Sequence, residues 1–231
     1  MEIKNKVIII TGASEGIGFS TAKYLSKKGA KIVLAARSGD KLKKLEKELS
    51  DSLAVIYDLR KHEDIKNLVK KAVEKYGRID ILINNAGQGM YEPVENIKIE
   101  NLKQIMELNV YAVILLIQEV VPIMRKQGGG MIINVSSGVS KRYIPGISAY
   151  SSTKYALNAI TFIARQELEK DNIIVCSVVP KMTSTRFGEN SITKRPDWSA
   201  TGRPMLQVDT PEQVAKKIGE AIISEVEEIV L

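Results

Sequence analysis

Tyr150 and Lys154 stand four residues apart in YSSTK, so on a helix their side chains rise from one face and can lie beside each other. A phenol trades a proton with a substrate oxygen at neutral pH only if it is partly ionised or strongly polarised. Free tyrosine titrates near pH ~10, leaving about one molecule in a thousand ionised at pH 7. An ammonium ~4 Å away, at an effective dielectric of ~20, favours the phenolate by at most about 4 kcal/mol. The expectation is therefore a phenol made acidic by its lysine. The hydroxyl of Ser137 lies thirteen residues before Tyr150, after the apolar run MIINV. A strand ending near Ser136, a loop holding Pro145 and Gly146, and a helix opening near Ser148 would bring that hydroxyl back over the phenol. YxxxK alone arises often by chance, so its weight depends on the elements around it.

Those elements alternate. Residues 7–10 are a short aliphatic run, followed at once by TGASEGIG and a helical pattern over 19–28. Gly12, Gly16 and Gly18 let the backbone turn tightly and let a pyrophosphate approach the amides of a helix start, where the helix dipole favours anions. Their spacing departs from GxGxxG, with three residues between the first pair and one between the second. Strands are expected at 31–36, 53–58, 79–84, 128–135 and 172–179, and a last one within 226–231. Helices are expected at 41–49, 65–76, 101–126 with a bend or break near Pro122, from about 148 to 170, and at 211–224 with Thr210 as a cap. Repeated strand–helix units predict an α/β parallel sheet covered on both faces. Between Pro180 and Pro211 the composition turns irregular and includes Trp198, which suits a binding segment or lid at about 181–210.

At 231 residues the chain suits one domain, with 44% hydrophobic and 26% charged residues. It has no unbroken apolar stretch of eighteen residues and no leader-like start, so no membrane span is expected and a cytoplasmic location is. Cys176, the single cysteine, sits in IIVCSVV and reads as core; His62, the single histidine, reads as a helix-surface residue, and no metal site is expected. The net charge of +7 comes largely from lysines that alternate with glutamates along helix faces. A nucleic-acid partner would rest on charge alone, and none is expected; modest positive charge also suits a phosphate-bearing cofactor.

Five short motifs stand in order: TGASEGIG at 11–18, NNAG at 84–87, Asn109 in ELNV, Ser137 in NVSSG, and YSSTK at 150–154. Together they resemble the short-chain dehydrogenase/reductase family, over residues 6 to about 215. The resemblance implies one Rossmann-like domain with about seven parallel strands and helices on both faces. It implies nicotinamide-dependent carbonyl reduction or alcohol oxidation, in which Ser137 hydrogen-bonds the substrate oxygen and Tyr150 donates its proton. Lys154 would hold the nicotinamide ribose and keep the phenol acidic, and Asn109 would position a water for proton resupply, or else satisfy a helix irregularity. The cofactor would meet Gly12, Ser14, Glu15, Gly16, Ile17 and Gly18 at the glycine turn. Asp58 and Leu59 would lie at the adenine, Asn85, Ala86 and Gly87 at the ribose, and Pro180, Thr183 and Thr185 after strand six. The relatives' PGxVxT reads PKMTST here, so Lys181 replaces a glycine at the substrate mouth.

NAD-binding members carry an acid at the end of strand two, about twenty residues after the glycine turn. Here that position is Ala36 and Arg37 follows, a pattern suited to a 2′-phosphate, so NADP(H) is the favoured cofactor with NAD(H) as the second choice. Glu15 points the other way, because many NADP-preferring relatives have a base there. The reading is a carbonyl reductase or alcohol dehydrogenase acting on a small carbonyl or alcohol, as a homodimer or homotetramer. Tyr91, Tyr143, Met182 and Trp198 are candidates for shaping the substrate pocket. The alternative is an NADP(H)-binding sensor without catalysis, which the joint presence of Ser137, Tyr150 and Lys154 disfavours.

Overall fold

The computed structural model describes residues 1–194 and 208–231. Seven short runs rich in Ile, Val and Leu form the sheet: β1 (Val7–Thr11), β2 (Lys31–Ala36), β3 (Ser52–Ile56), β4 (Ile81–Asn84), β5 (Gly130–Val135), β6 (Ile173–Val179) and β7 (Glu228–Val230). They pair in parallel in the order β3-β2-β1-β4-β5-β6-β7. Central strands covered on both faces lose the apolar–polar alternation, and β1 and β5 are buried at every position. Helices α1 (Gly16–Lys27), α2 (Gly39–Glu48) and α7 (Pro211–Ser224) join the core beneath one face. Helices α3 (His62–Tyr76) and α5 (Ala112–Lys126) cover the other, with α6 (Ser148–Leu168).

The chain reverses neighbour order at β1, whose partners are β2 on one side and β4 on the other. In open parallel sheets, such a reversal leaves a crevice at the carboxyl ends of the strands. The glycine turn, residues 84–87 and Ser137 all follow the ends of β1, β4 and β5, so the topology itself gathers three of the five motifs.

Several boundaries shift. Helix α1 opens at Gly16, three residues earlier than the apolar period indicated, and β3 ends at Ile56, leaving Tyr57 and Asp58 beyond the strand. The expected break at Pro122 is absent: α5 runs through it, since Pro122 and Gln118 both face solvent and the carbonyl freed by the missing N–H can meet water. The irregularity lies upstream, where a π turn over Glu107–Tyr111 joins α4 (Ile99–Met106) to α5. Taken together, Ile99–Lys126 is long and apolar enough to cross a membrane by composition, a run the sequence reading did not register because polar residues interrupt it. Here Ala112, Leu116, Val120, Val121 and Met124 enter the core against the sheet. Thr210 caps α7 in a capping box with Gln213. Cys176 is buried, its thiol pushed up to about 12 by desolvation, and His62 opens α3 on the surface, 3.3 Å from Glu119. Of the segment expected as a lid, 181–194 and 208–210 are described; Trp198 lies outside the described residues.

Candidate active site

The first two motifs lock together. Thr11 Oγ1 accepts from the amides of Asn85 (2.9 Å) and Ala86 (3.0 Å), while Asn85 Nδ2 donates back to the Thr11 carbonyl oxygen at 2.9 Å. Gly18 permits this closeness, because a Cβ there would stand 2.3 Å from the Gly12 oxygen. Gly12 turns the chain at φ +67°, in the left-handed region that favours glycine. Glu15 precedes α1 but makes no side-chain cap, and no acidic residue lies in the first turn. The amides that open α1 are therefore offered to the cleft, as an anionic pyrophosphate requires. Residues here fit a dinucleotide.

The catalytic trio is assembled from two elements and braced beneath by polar pairs that span strands. Asn84 and Asn134 face each other in register on β4 and β5, 2.8 Å apart, and Asn134 donates to Thr161 of α6 at 2.8 Å. Ser136 donates to Asn158 at 2.6 Å, and Asn158 donates to Ser140 at 3.0 Å, which ties the end of β5 to α6. Ser137 follows, and its hydroxyl lines the same cleft as the Tyr150 phenol, close enough to act on the phenol's ionisation. Tyr150 and Lys154 lie one turn apart on α6 and are 8% and 4% exposed.

Their ionisation corrects the opening expectation. Burial raises the Tyr150 phenol above its ordinary value; the Ser137 hydroxyl opposes this, and Tyr91 adds to it. Lys154 is lowered by burial to about 8, and its Nζ donates to the Val135 carbonyl oxygen at 2.9 Å. An amine with that value has lost its proton before a phenol shifted above 10 begins to titrate. Lysine charge therefore does not lower the phenol's own titration, although at pH 7 the amine is still mostly an ammonium.

Asn109 sits at the π turn and is buried. Its Nδ2 donates to the Gln88 carbonyl oxygen (3.0 Å) and to Thr153 Oγ1 (3.1 Å), and its Oδ1 accepts from the Gln88 amide (3.0 Å). Both amide hydrogens are thus committed to Gln88 and Thr153. Gly87 keeps the space above it clear, since a Cβ there would lie 3.2 Å from Asn109 Oδ1 and 3.9 Å from Lys154 Nζ.

One cleft of about 1530 Å³ joins these parts. That exceeds the roughly 300–1,000 Å³ of a pocket for one small ligand and leaves room for two molecules. Gly12, Ser14, Glu15, Gly16, Ile17, Arg37, Asp58, Leu59, Asn85, Ala86, Gly87, Ser137, Tyr150, Lys154, Pro180, Thr183 and Thr185 all line it. Gly18 and Asn109 do not; both shape it from behind. Tyr91, Tyr143 and Met182 line it as well.

Several contributors were not singled out from sequence. Lys41, on the first turn of α2, bridges Glu15 at 2.7 Å, and Asn190 donates to the same carboxylate. Arg60 grips both Asp58 oxygens, 2.6 Å at the shortest, and holds that carboxyl down to about 2. Phe187 packs on the Tyr150 ring at 5.4 Å between centroids. Asparagines inside the apolar runs IDILIN and MIINV were the one visible signal, for Asn84 and Asn134; the long-range pairs had none.

Comparison with known proteins agrees with this geometry. A family model described as short chain dehydrogenase matches residues 6–196. An uncharacterized oxidoreductase of Listeria monocytogenes is 35% identical over 228 residues, covering 96% of this chain and 92% of that protein. One from Staphylococcus saprophyticus is 39% identical over 192 residues, 81% of this chain and 78% of its own. Among solved structures, the 3-ketoacyl-(acyl-carrier-protein) reductase of Brucella melitensis complexed with NADH superposes with a TM-score of 0.90 at 28% identity, over 99% of this chain and 97% of that one. The alcohol dehydrogenase of Thermococcus sibiricus complexed with 5-hydroxy-NADP gives 0.85 at 27% identity, over 99% and 96%. The seven-stranded parallel sheet, the glycine turn and the serine–tyrosine–lysine group on the cleft wall thus have a common explanation: this chain belongs to the short-chain dehydrogenase family and is an oxidoreductase of that type.

Proposed function

We propose that this protein is an NADP(H)-preferring carbonyl reductase or alcohol dehydrogenase with Tyr150 as its general acid and base. The observation that carries the reading is the buried Tyr150 with Lys154 one turn away and Ser137 beside them, on the wall of a cleft that also holds the glycine turn. The nicotinamide would supply hydride to the carbonyl carbon. Tyr150, kept protonated at pH 7 by burial, gives its proton to the carbonyl oxygen, so the carbonyl gains one hydride and one proton and becomes an alcohol. Ser137 donates to that oxygen as charge builds on it. Lys154 is still mostly cationic at pH 7 and stabilises the phenolate left behind, an effect that acts during turnover although it is absent from the phenol's own titration. Asn109 is a positioning residue that fixes the 88 loop and Thr153 beside the lysine.

For the cofactor, both carboxylates that line the adenosine end have their own cation: Asp58 has Arg60 and Glu15 has Lys41. Arg37 forms no ion pair among the described residues and lines the same end. That leaves it available to a 2′-phosphate. Thr183, Thr185 and Pro180 would meet the nicotinamide end. The reading includes a cytoplasmic homodimer or homotetramer formed across α4, α5 and α6, where Ile99, Tyr111 and Ile163 are exposed. Residues 181–210 would act as the substrate loop.

The test is absorbance at the reduced-nicotinamide band with NADPH or NADH against ketones, aldehydes and diketones. Turnover with NADPH exceeding that with NADH is expected. No oxidation of either cofactor by any member would refute the enzyme reading.

A further inference from the structure

The cleft's charges are unevenly matched. Its lining contains two carboxylates, Glu15 and Asp58, and six cations besides Lys154: Arg37, Lys41, Arg60, Arg142, Lys181 and Arg186. Lys41 and Arg60 are taken by the two acids, and Arg186 by Glu189 at 2.7 Å. Arg37 lies with the paired residues at the adenosine end. Arg142 and Lys181 remain: among the described residues their side chains form no ion pair or hydrogen bond, and the described lining holds no carboxylate besides Glu15 and Asp58. The neighbouring Lys141 shows the contrast, because it turns away to Glu228 at 3.0 Å.

Both cations sit close to the reacting groups along the chain. Lys181 follows Pro180, whose carbonyl oxygen accepts from the Gly138 amide at 2.9 Å, and Gly138 follows Ser137. Arg142 precedes Tyr143 and Ile144, which line the cleft on the way to Tyr150. The two loops are thus joined beside Ser137, and the wall they share with Ile147, Met182 and Phe187 is mainly apolar. Positive charge unpaired among the described residues, with no further described acid at the mouth, attracts anions and orients them on arrival. The arginine offers a planar fork and the lysine a mobile point charge, a combination that suits carboxylate or phosphate oxygens.

We propose that Arg142 and Lys181 form an anion site at the rim of the substrate half, and that the substrate is a carbonyl compound carrying a carboxylate or phosphate separated from the carbonyl by an apolar spacer. This substrate class rests on the carbonyl-reductase reading above; the site itself does not.

The experiment compares a keto acid, its methyl ester and the keto alkyl phosphate of equal chain length as substrates with NADPH. Proteins are wild type, Arg142→Gln, Lys181→Gln and the double variant, with NADPH affinity followed by fluorescence. Wild type should favour an anionic member over the ester by about tenfold or more in kcat/KM, the scale of one charge-assisted contact. In the double variant that ratio should fall to near one, through KM rather than kcat, with NADPH affinity retained. Which anion is preferred identifies the group. Equal use of acid, phosphate and ester by wild type, or a double variant that lowers all three by one factor, overturns the proposal. If no carbonyl is reduced at all, the carbonyl-reductase reading fails. Calorimetric titration with glutarate and with inorganic phosphate then decides the site separately. Binding that disappears in the double variant retains it, and no binding to wild type, or equal binding to both proteins, removes it.

Discussion

The two ends of the cleft hold their polar groups in opposite ways. At the adenosine end, charged side chains lie near the surface and neutralise one another in pairs, Lys41 with Glu15 and Arg60 with Asp58. At the reacting end Lys154, Asn109 and Tyr150 are buried and held by neutral partners: Lys154 by a backbone carbonyl oxygen, Asn109 by Gln88 and Thr153, Tyr150 by the ring of Phe187. Exposed ion pairs contribute little to stability and exchange partners readily, which suits a surface that must give way to a phosphate. Burial instead shifts ionisation, raising the phenol and lowering the amine, so the phenol keeps its proton at pH 7 in the absence of ligands. In the proposed reading, one end would select the cofactor and the other would supply the proton.

Next to loss of the Tyr150 hydroxyl, the largest effect is expected from removing the Ser137 hydroxyl. Ser137→Ala should lower kcat by about a hundredfold to a thousandfold with little change in NADPH affinity, since the lost donor acts on developing charge. A change confined to KM would make Ser137 a binding residue. At the exposed end, Arg37→Asp should weaken NADPH by roughly ten- to a hundredfold, read as KM or by fluorescence titration, and NADH far less. Equal effects on both cofactors would remove the 2′-phosphate contact.

A smaller effect separates the ends through pH. Lys154 titrates near 8 in the folded chain, below its unfolded value, so between about pH 8 and pH 10 the unfolded state binds more protons. Lys154 should therefore add up to about 2 kcal/mol across that window as the penalty of burying a charged amine disappears, partly offset above pH ~9, where the folded Cys176 thiol keeps a proton that the unfolded one loses. Denaturant melts at pH 7.5 and 9.5 should show the rise in wild type and its absence in Lys154→Met. Above pH ~10 the sign reverses, because Tyr150 keeps its proton when folded and loses it when unfolded.

Much of this was legible in the chain itself, for reasons that differ by residue. The strands announced themselves as β-branched and leucine runs between glycines, and of the catalytic and cofactor candidates all but Gly18 and Asn109 line the cleft, because backbone turns at strand ends need particular residues at fixed spacing. Period alone could not show that α1 opens on Gly16, a glycine with no helical preference, or that the Ile99–Lys126 run changes its winding at Asn109 and not at Pro122. The pairings Lys41–Glu15, Asn158–Ser136 and Phe187–Tyr150 join residues more than twenty apart and depend on tertiary placement. The expected acidic phenol went wrong for a related reason: burial was not in view, and it outweighs a neighbouring charge that is itself being buried.

The most direct test of the central claim is single-turnover reduction of a carbonyl substrate by NADPH bound to wild type and to Tyr150→Phe, with cofactor affinity measured on the same samples. The hydride step should slow by about a hundredfold to ten-thousandfold while NADPH binding stays within about threefold. An unchanged hydride step in the variant, with cofactor bound, would contradict the assignment of Tyr150 as the proton donor.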